Sequence, residues 1–111
     1  MVELALRHGA GVNEQATLGS TALMAAAGNG HDKVIDALIR HGAAIDLQDN
    51  NGYTALSWAA FYDHPAALLC LLRAGADATL HSADGTTALQ WAKEEGHPEC
   101  VRALEEHAAA K

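Results

Sequence analysis

The chain is 111 residues long, one domain's worth, and half of it is hydrophobic, which excludes an ordinary disordered polymer. Acidic residues outnumber basic ones 14 to 7, for a formal charge of −7. That sign lacks the electrostatic footprint that nucleic-acid phosphates or anionic membranes require, so neither is expected as a partner. Much of the hydrophobic half is small: 25 alanines stand against two Trp, two Tyr and one Phe. Alanine is the strongest helix former, so closely approaching helices are expected throughout.

The longest unbroken apolar run, residues 66–72, is far shorter than a membrane span needs. Neither a basic start nor the apolar core of a secretory leader follows Met1. Cys70 and Cys100 are too few for a disulfide framework. Reduced thiols in a cytoplasmic or nuclear compartment are expected.

A repeat organises the rest. Thr-Ala-Leu stands at 21–23, 54–56 and 87–89, an interval of 33 that His31, His64 and His97 also keep. Gly19, Gly52 and Gly85 share it, as do Gly9, Gly42 and Gly75. In chain order, residues 1–16 carry only one helix and a loop, with Leu4 and Leu6 apolar and His8 before the stop at Gly9. The unit 17–49 starts a helix at Thr21, whose hydroxyl suits an N-cap, and ends it at Gly30, a residue that adopts the left-handed region freely. A second helix follows His31 with the inward face Val34, Ile35, Leu38 and Ile39, and stops at Gly42. The unit 50–82 repeats the plan from Thr54, with Asp63 in place of the first stop glycine and Pro65 at a first helical position, where a missing N–H costs nothing. Its second helix turns Ala67, Leu68, Leu71 and Leu72 inward and stops at Gly75. The unit 83–111 runs from Thr87 through Gly96 and Pro98. There Glu105 replaces the apolar Leu6, Ile39 and Leu72 of the same phase, and Lys93 replaces Ala27 and Ala60. Polar residues on that outer face are what a capping repeat requires. Helices of about eight to ten residues are marginal alone, so the units must stack. The pattern is an all-α solenoid.

The segment Asp49-Asn-Asn-Gly-Tyr-Thr-Ala-Leu-Ser-Trp-Ala-Ala-Phe-Tyr-Asp-His64 resembles an ankyrin repeat, as does Leu71-Leu-Arg-Ala-Gly-Ala-Asp77. The resemblance extends over essentially the whole chain. It implies stacked antiparallel helix pairs with projecting β-hairpin loops. Where the family has Thr-Pro-Leu-His, this chain has Met24, Ser57 and Gln90 at the fourth place and alanine at the second. Losing the proline costs little. Losing the histidine removes a hydrogen-bonding residue between neighbouring units.

Seven histidines invite a metal, but a ladder of rings one repeat apart does not converge, since packed helices lie about 8–10 Å apart and zinc needs ligand atoms at about 2 Å. His31, His64 and His97 are expected instead to satisfy backbone groups at the start of each second helix, while His8, His41 and His107 close helices C-terminally. Gly28-Asn29-Gly30 has Lys33 where a dinucleotide fingerprint needs its third glycine, and no strand precedes it. Ser20, Ser57 and Ser82 lie in no nucleophile elbow. Glu94-Glu95 and Glu105-Glu106 fit a solvated acidic face. Cys70 and Cys100 fit buried packing positions. No catalytic, cofactor-binding or metal residue is expected.

The resemblance implies a non-catalytic scaffold, monomeric, that binds a protein in a concave groove. The alternatives are a structural or intramolecular regulatory segment of a larger protein, or an engineered ankyrin binder. Irregularities such as Tyr62-Asp63, Pro65 and Cys70 weigh against the last. In the family the groove is lined by hairpin tips and exposed first-helix ends. Carried onto this chain, those positions are Asn51, Tyr53, Phe61 and Tyr62 in the middle unit. Leu18, Ser20, Gly28 and Asn29 match them on one side, and Asp84, Thr86, Glu94 and Glu95 on the other. Aromatic anchors beside an acidic rim suit a partner with a basic contact surface. The plainer alternative is that the rings simply pack on Trp58. Circular dichroism is expected to be dominated by helix, and EDTA to leave the melting temperature unchanged; a clear drop on chelation would revive the metal.

Overall fold

The computed structural model describes Gln15 and residues 19–109. Thr21, Thr54 and Thr87 hold extended backbone, and their hydroxyls accept from the N–H groups of Met24, Ser57 and Gln90. In the last two units the bond is returned, because Ser57 Oγ and Gln90 Oε1 accept from the N–H of Thr54 and Thr87 at 3.3 and 3.0 Å. Two orphan donors are thus satisfied reciprocally at each helix start. The residues standing in for the family histidine are therefore capping residues in these two units; Met24 has no polar group with which to do the same.

Six helices follow among the described residues: α1 (Ala22–Gly28), α2 (Asp32–Arg40), α3 (Ala55–Phe61), α4 (Pro65–Arg73), α5 (Ala88–Glu94) and α6 (Pro98–Ala109). The first helix of each unit is shorter than expected, seven residues. Gly30, Asp63 and Gly96 supply the left-handed turn to the second helix, at φ of +69°, +60° and +71°. Pro65 and Pro98 open α4 and α6 as their spacing predicts.

The helices form two layers. α1 packs on α3 and α3 on α5, while α2 packs on α4 and α4 on α6. Within the first layer Ala26, Ala27, Ala59, Ala60 and Ala92 are buried, so the backbones meet across methyl groups. Leu23, Ile35, Leu38, Leu56, Leu68, Leu71 and Cys100 fill the space between the layers. Val34 and Ile39 sit at its edge, only partly buried.

The inter-unit loops close as tight turns. Asp49 N–H donates to Tyr53 O and Gly52 N–H to Asp49 O, both at 2.9 Å. One unit later Ser82 N–H donates to Thr86 O and Gly85 N–H to Ser82 O, again at 2.9 Å. The hairpin implied by the resemblance is reduced to its tip: among the described residues one antiparallel bridge forms, His81 with Thr87. The cause is that loop groups bond sideways, from unit to unit. Gln48 Nε2 donates to Gly52 O in its own turn and to His81 O in the next, both at 3.0 Å. Gln15, one interval earlier, donates likewise to Gly19 O and Gln48 O. Asp77 N–H reaches Asp46 Oδ1, and Ala83 N–H reaches Asn51 O.

Lys93 and Glu105, the two polar replacements of the last unit, are exposed and lie 3.9 Å apart as an ion pair. Leu4, Leu6, His8 and Leu18 lie outside the described residues. Gly52 and Gly85 provide a matched test of the loop stacking. Both have strongly positive φ, but a Cβ on Gly52 would sit 2.9 Å from Ala83 N, whereas one on Gly85 meets nothing within 4 Å. Gly85→Ala is expected to destabilise by about 1–2 kcal/mol, the backbone penalty alone, and Gly52→Ala by clearly more in urea melts. Equal losses would show that the loops do not need this close approach.

Candidate functional site

The chain has five aromatic residues, and all five meet. Tyr53 enters from the turn, one residue before the Thr54 cap; Trp58 lies in mid-α3, Phe61 ends α3 and Tyr62 caps it. Trp91 occupies the phase of Trp58 one unit later, in α5. Tyr53 meets Trp58 and Trp91 edge to face, with centroids 6.2 and 5.7 Å apart. Phe61 meets Tyr62 and Trp91 the same way, at 4.9 and 5.1 Å. Trp58 and Tyr62 stack nearly parallel at 5.7 Å. The contacts close a circuit: Tyr53, Trp58, Tyr62, Phe61, Trp91 and back to Tyr53.

These five rings and Ser57 line a hollow of about 220 Å³. A second hollow, of about 430 Å³, shares Trp58 and Tyr62 and is otherwise lined by Ser20, Met24, Ala25, Gly28 and Asn29. Its width follows from sequence, since Ala25 holds the phase of Trp58 and leaves the space of an indole open. The Trp58–Tyr62 pair stands directly over Gly28, where a Cβ would touch both rings at 3.5–3.6 Å. Tyr62 is 48 % exposed and forms the partition between the two hollows. The indole N–H groups of Trp58 and Trp91 are buried without a hydrogen-bond partner among the described residues.

The turn histidines hold this face together. His64 Nε2 bonds Gly28 O at 3.0 Å, and His97 Nε2 bonds Phe61 O at 2.9 Å. A carbonyl only accepts, so Nε2 carries the proton. Each ring thus satisfies a carbonyl at the end of the preceding unit's first helix, and not backbone groups at the start of its own second helix as the spacing had suggested. His31 is exposed. Among the described residues no group of three His, Cys, Asp or Glu side chains is arranged to hold a metal ion.

Asp63, in its left-handed turn, faces His97 Nδ1 at 3.7 Å and takes the Cys100 thiol at 3.8 Å. Burial first, and then the Asp63 charge, push the Cys100 thiol up to about 11. Cys70 is half-buried rather than buried, and burial followed by the Asp36 charge raises its thiol as well. Neither is an activated nucleophile. Asp84 is exposed; hydrogen bonds from Ser82 and then Thr86 hold its carboxyl below the ordinary value of 3.8. Its contribution to the turn is therefore present above that value and lost as pH falls through the lowered one.

A family model described as ankyrin repeats (3 copies) matches residues 1–81, and the single ankyrin-repeat model matches residues 84–110. The chain belongs to the ankyrin-repeat family. No curated protein matches it. Ankyrin repeats generally mediate protein–protein interaction and are typically non-catalytic modules.

Of the sequence-derived positions in this ankyrin domain, Tyr53, Phe61 and Tyr62 line the first hollow, and Ser20, Gly28 and Asn29 the second. Asn51, Asp84, Thr86, Glu94 and Glu95 line neither. Asn51, Asp84 and Thr86 belong to the turns, and Glu94 and Glu95 are exposed at the end of α5. The rings do pack on Trp58, and they also bound an open hollow. Trp91 as a wall residue was missed, although its place one interval after Trp58 was visible. At pH 8 iodoacetamide is expected to leave Cys100 unmodified in the folded domain and to alkylate it once guanidinium unfolds the chain; rapid native labelling would contradict its burial against Asp63.

Proposed function

We propose that this ankyrin domain is a monomeric, non-catalytic scaffold that binds a protein through the face bearing the aromatic circuit. The observation that carries the reading is Tyr62, a large ring 48 % exposed that divides two adjoining hollows. Aromatic side chains in well-formed pockets are where binding energy concentrates. Tyr53, Phe61 and Tyr62 would supply the anchors, with Ser20 and Asn29 on one flank and Asn51, Asp84, Thr86, Glu94 and Glu95 on the other. A net charge of −7 and the exposed Glu94 and Glu95 favour a partner with a basic contact surface. Free Cys70 and Cys100 fit a reducing compartment, cytoplasm or nucleus.

Tyr62→Ala is the cleanest probe, because its ring is the most exposed of the five. With the immobilised domain as bait, the variant is expected to lose about 1–3 kcal/mol of affinity for the captured partner, with little change in melting temperature. Association should slow as salt rises. Undiminished capture by a folded Tyr62→Ala domain would overturn the reading.

A further inference from the structure

We infer that the hollow inside the aromatic circuit receives a methylated ammonium group, the head of a methylated lysine on the partner. The inference rests on the protein-binding reading above and narrows it.

Three observations combine. First, the chain's entire aromatic complement bounds this one hollow, with neighbouring centroids 4.9–6.2 Å apart. A cation is attracted to a ring face within about 6 Å of its centroid, so an occupant lies within reach of several rings at once. At about 220 Å³ the hollow is below the range of drug-sized ligand sites, roughly 300–1,000 Å³, and suits a side-chain head.

Second, among the described residues no charged side chain lines it. Besides the two phenols, the one hydroxyl among the lining residues is Ser57 Oγ, which is already bonded to Thr54. A plain lysine brings three N–H donors and an arginine five, and most would be left unpaired among rings. A methylated ammonium keeps the charge and sheds those donors.

Third, the domain's net charge of −7 favours a cation, and its nearest exposed carboxylates along α5 stand outside the lining of the hollow. Glu94 and Glu95 are exposed at the phase of Phe61 and Tyr62 one unit later, about one helical turn beyond Trp91. Lys93, on the same helix, is paired with Glu105. A neutral group of the same shape gains nothing from that field.

The test titrates the whole domain with N-acetyl-trimethyl-lysine methylamide, its unmethylated counterpart, and a neutral isostere carrying a tert-butyl head, following the two indole N–H signals by NMR. The trimethyl compound is expected to bind about tenfold more tightly than either other probe. Glu94→Gln/Glu95→Gln should narrow its advantage over the neutral isostere. Phe61→Leu, checked for native helix content, should remove most of it. Equal binding of the isostere would make the hollow a plain apolar pocket, and equal binding of unmethylated lysine would make it an ordinary cation site; either overturns the inference. So does choline binding clearly more tightly than trimethyl-lysine, which would point to a free small molecule, or no shift with any probe. Each of those results leaves the protein-binding reading standing if Tyr62→Ala weakens partner capture as stated above, so the two failures are separable.

Discussion

A seven-residue helix has too few internal hydrogen bonds to persist in water, and α1, α3 and α5 are all of that length. They persist because each is covered by the next, and the cover is close because the facing residues are alanines. Ala27, Ala59, Ala60 and Ala92 are fully buried along this layer. A larger side chain at any of them would drive two helices apart, since close-packed interiors accommodate added volume badly. The spacing set by those methyl groups also determines what else can touch. His64 reaches Gly28 O, and Gln48 reaches His81 O, only because adjacent units stand this near.

The helix ends are satisfied across units. The last carbonyls of a helix have no partner inside it. Here Gly28 O and Phe61 O are taken by histidines that belong to the following unit. The starts of α3 and α5 are handled locally, by threonine with Ser57 or Gln90. Threonine caps and histidine closures together tie α1 and α3 to their own sequence and to the following unit. Asp63 shows the same economy, with its backbone making the turn while its side chain meets His97 and Cys100 of the next unit.

Much of this was legible in the 33-residue interval. Threonine caps, left-handed stops and prolines at helix starts are decided by single residues and their nearest neighbours, so their identity and spacing suffice. The loops were not legible to the same degree. Whether Gly52 and Tyr53 pair across a hairpin or the loop bonds sideways depends on the distance between units, which no single unit encodes. Gln15 and Gln48 kept the interval, yet nothing local says that their amides bridge two loops. The spacing places His64 and His97 in the correct turns, but their partners are carbonyls of the preceding unit and not backbone groups at the start of their own second helix, for the same reason. At the site, Tyr53, Phe61 and Tyr62 could be grouped from their position in one unit. That Trp91 completes the wall required knowing that α5 lies beside α3 with this face uncovered.

The concentration of aromatic residues has an optical consequence. Both tryptophans and both tyrosines lie in the one circuit, and α2, α4 and α6 contain no aromatic residue. Intrinsic ultraviolet emission therefore arises from a single face of the domain. The stacked Trp58–Tyr62 pair and the buried indole N–H groups give those chromophores surroundings that an occupant of the hollow would alter directly. The domain carries an unlabelled emitter at its candidate recognition face, while its second-helix layer stays dark.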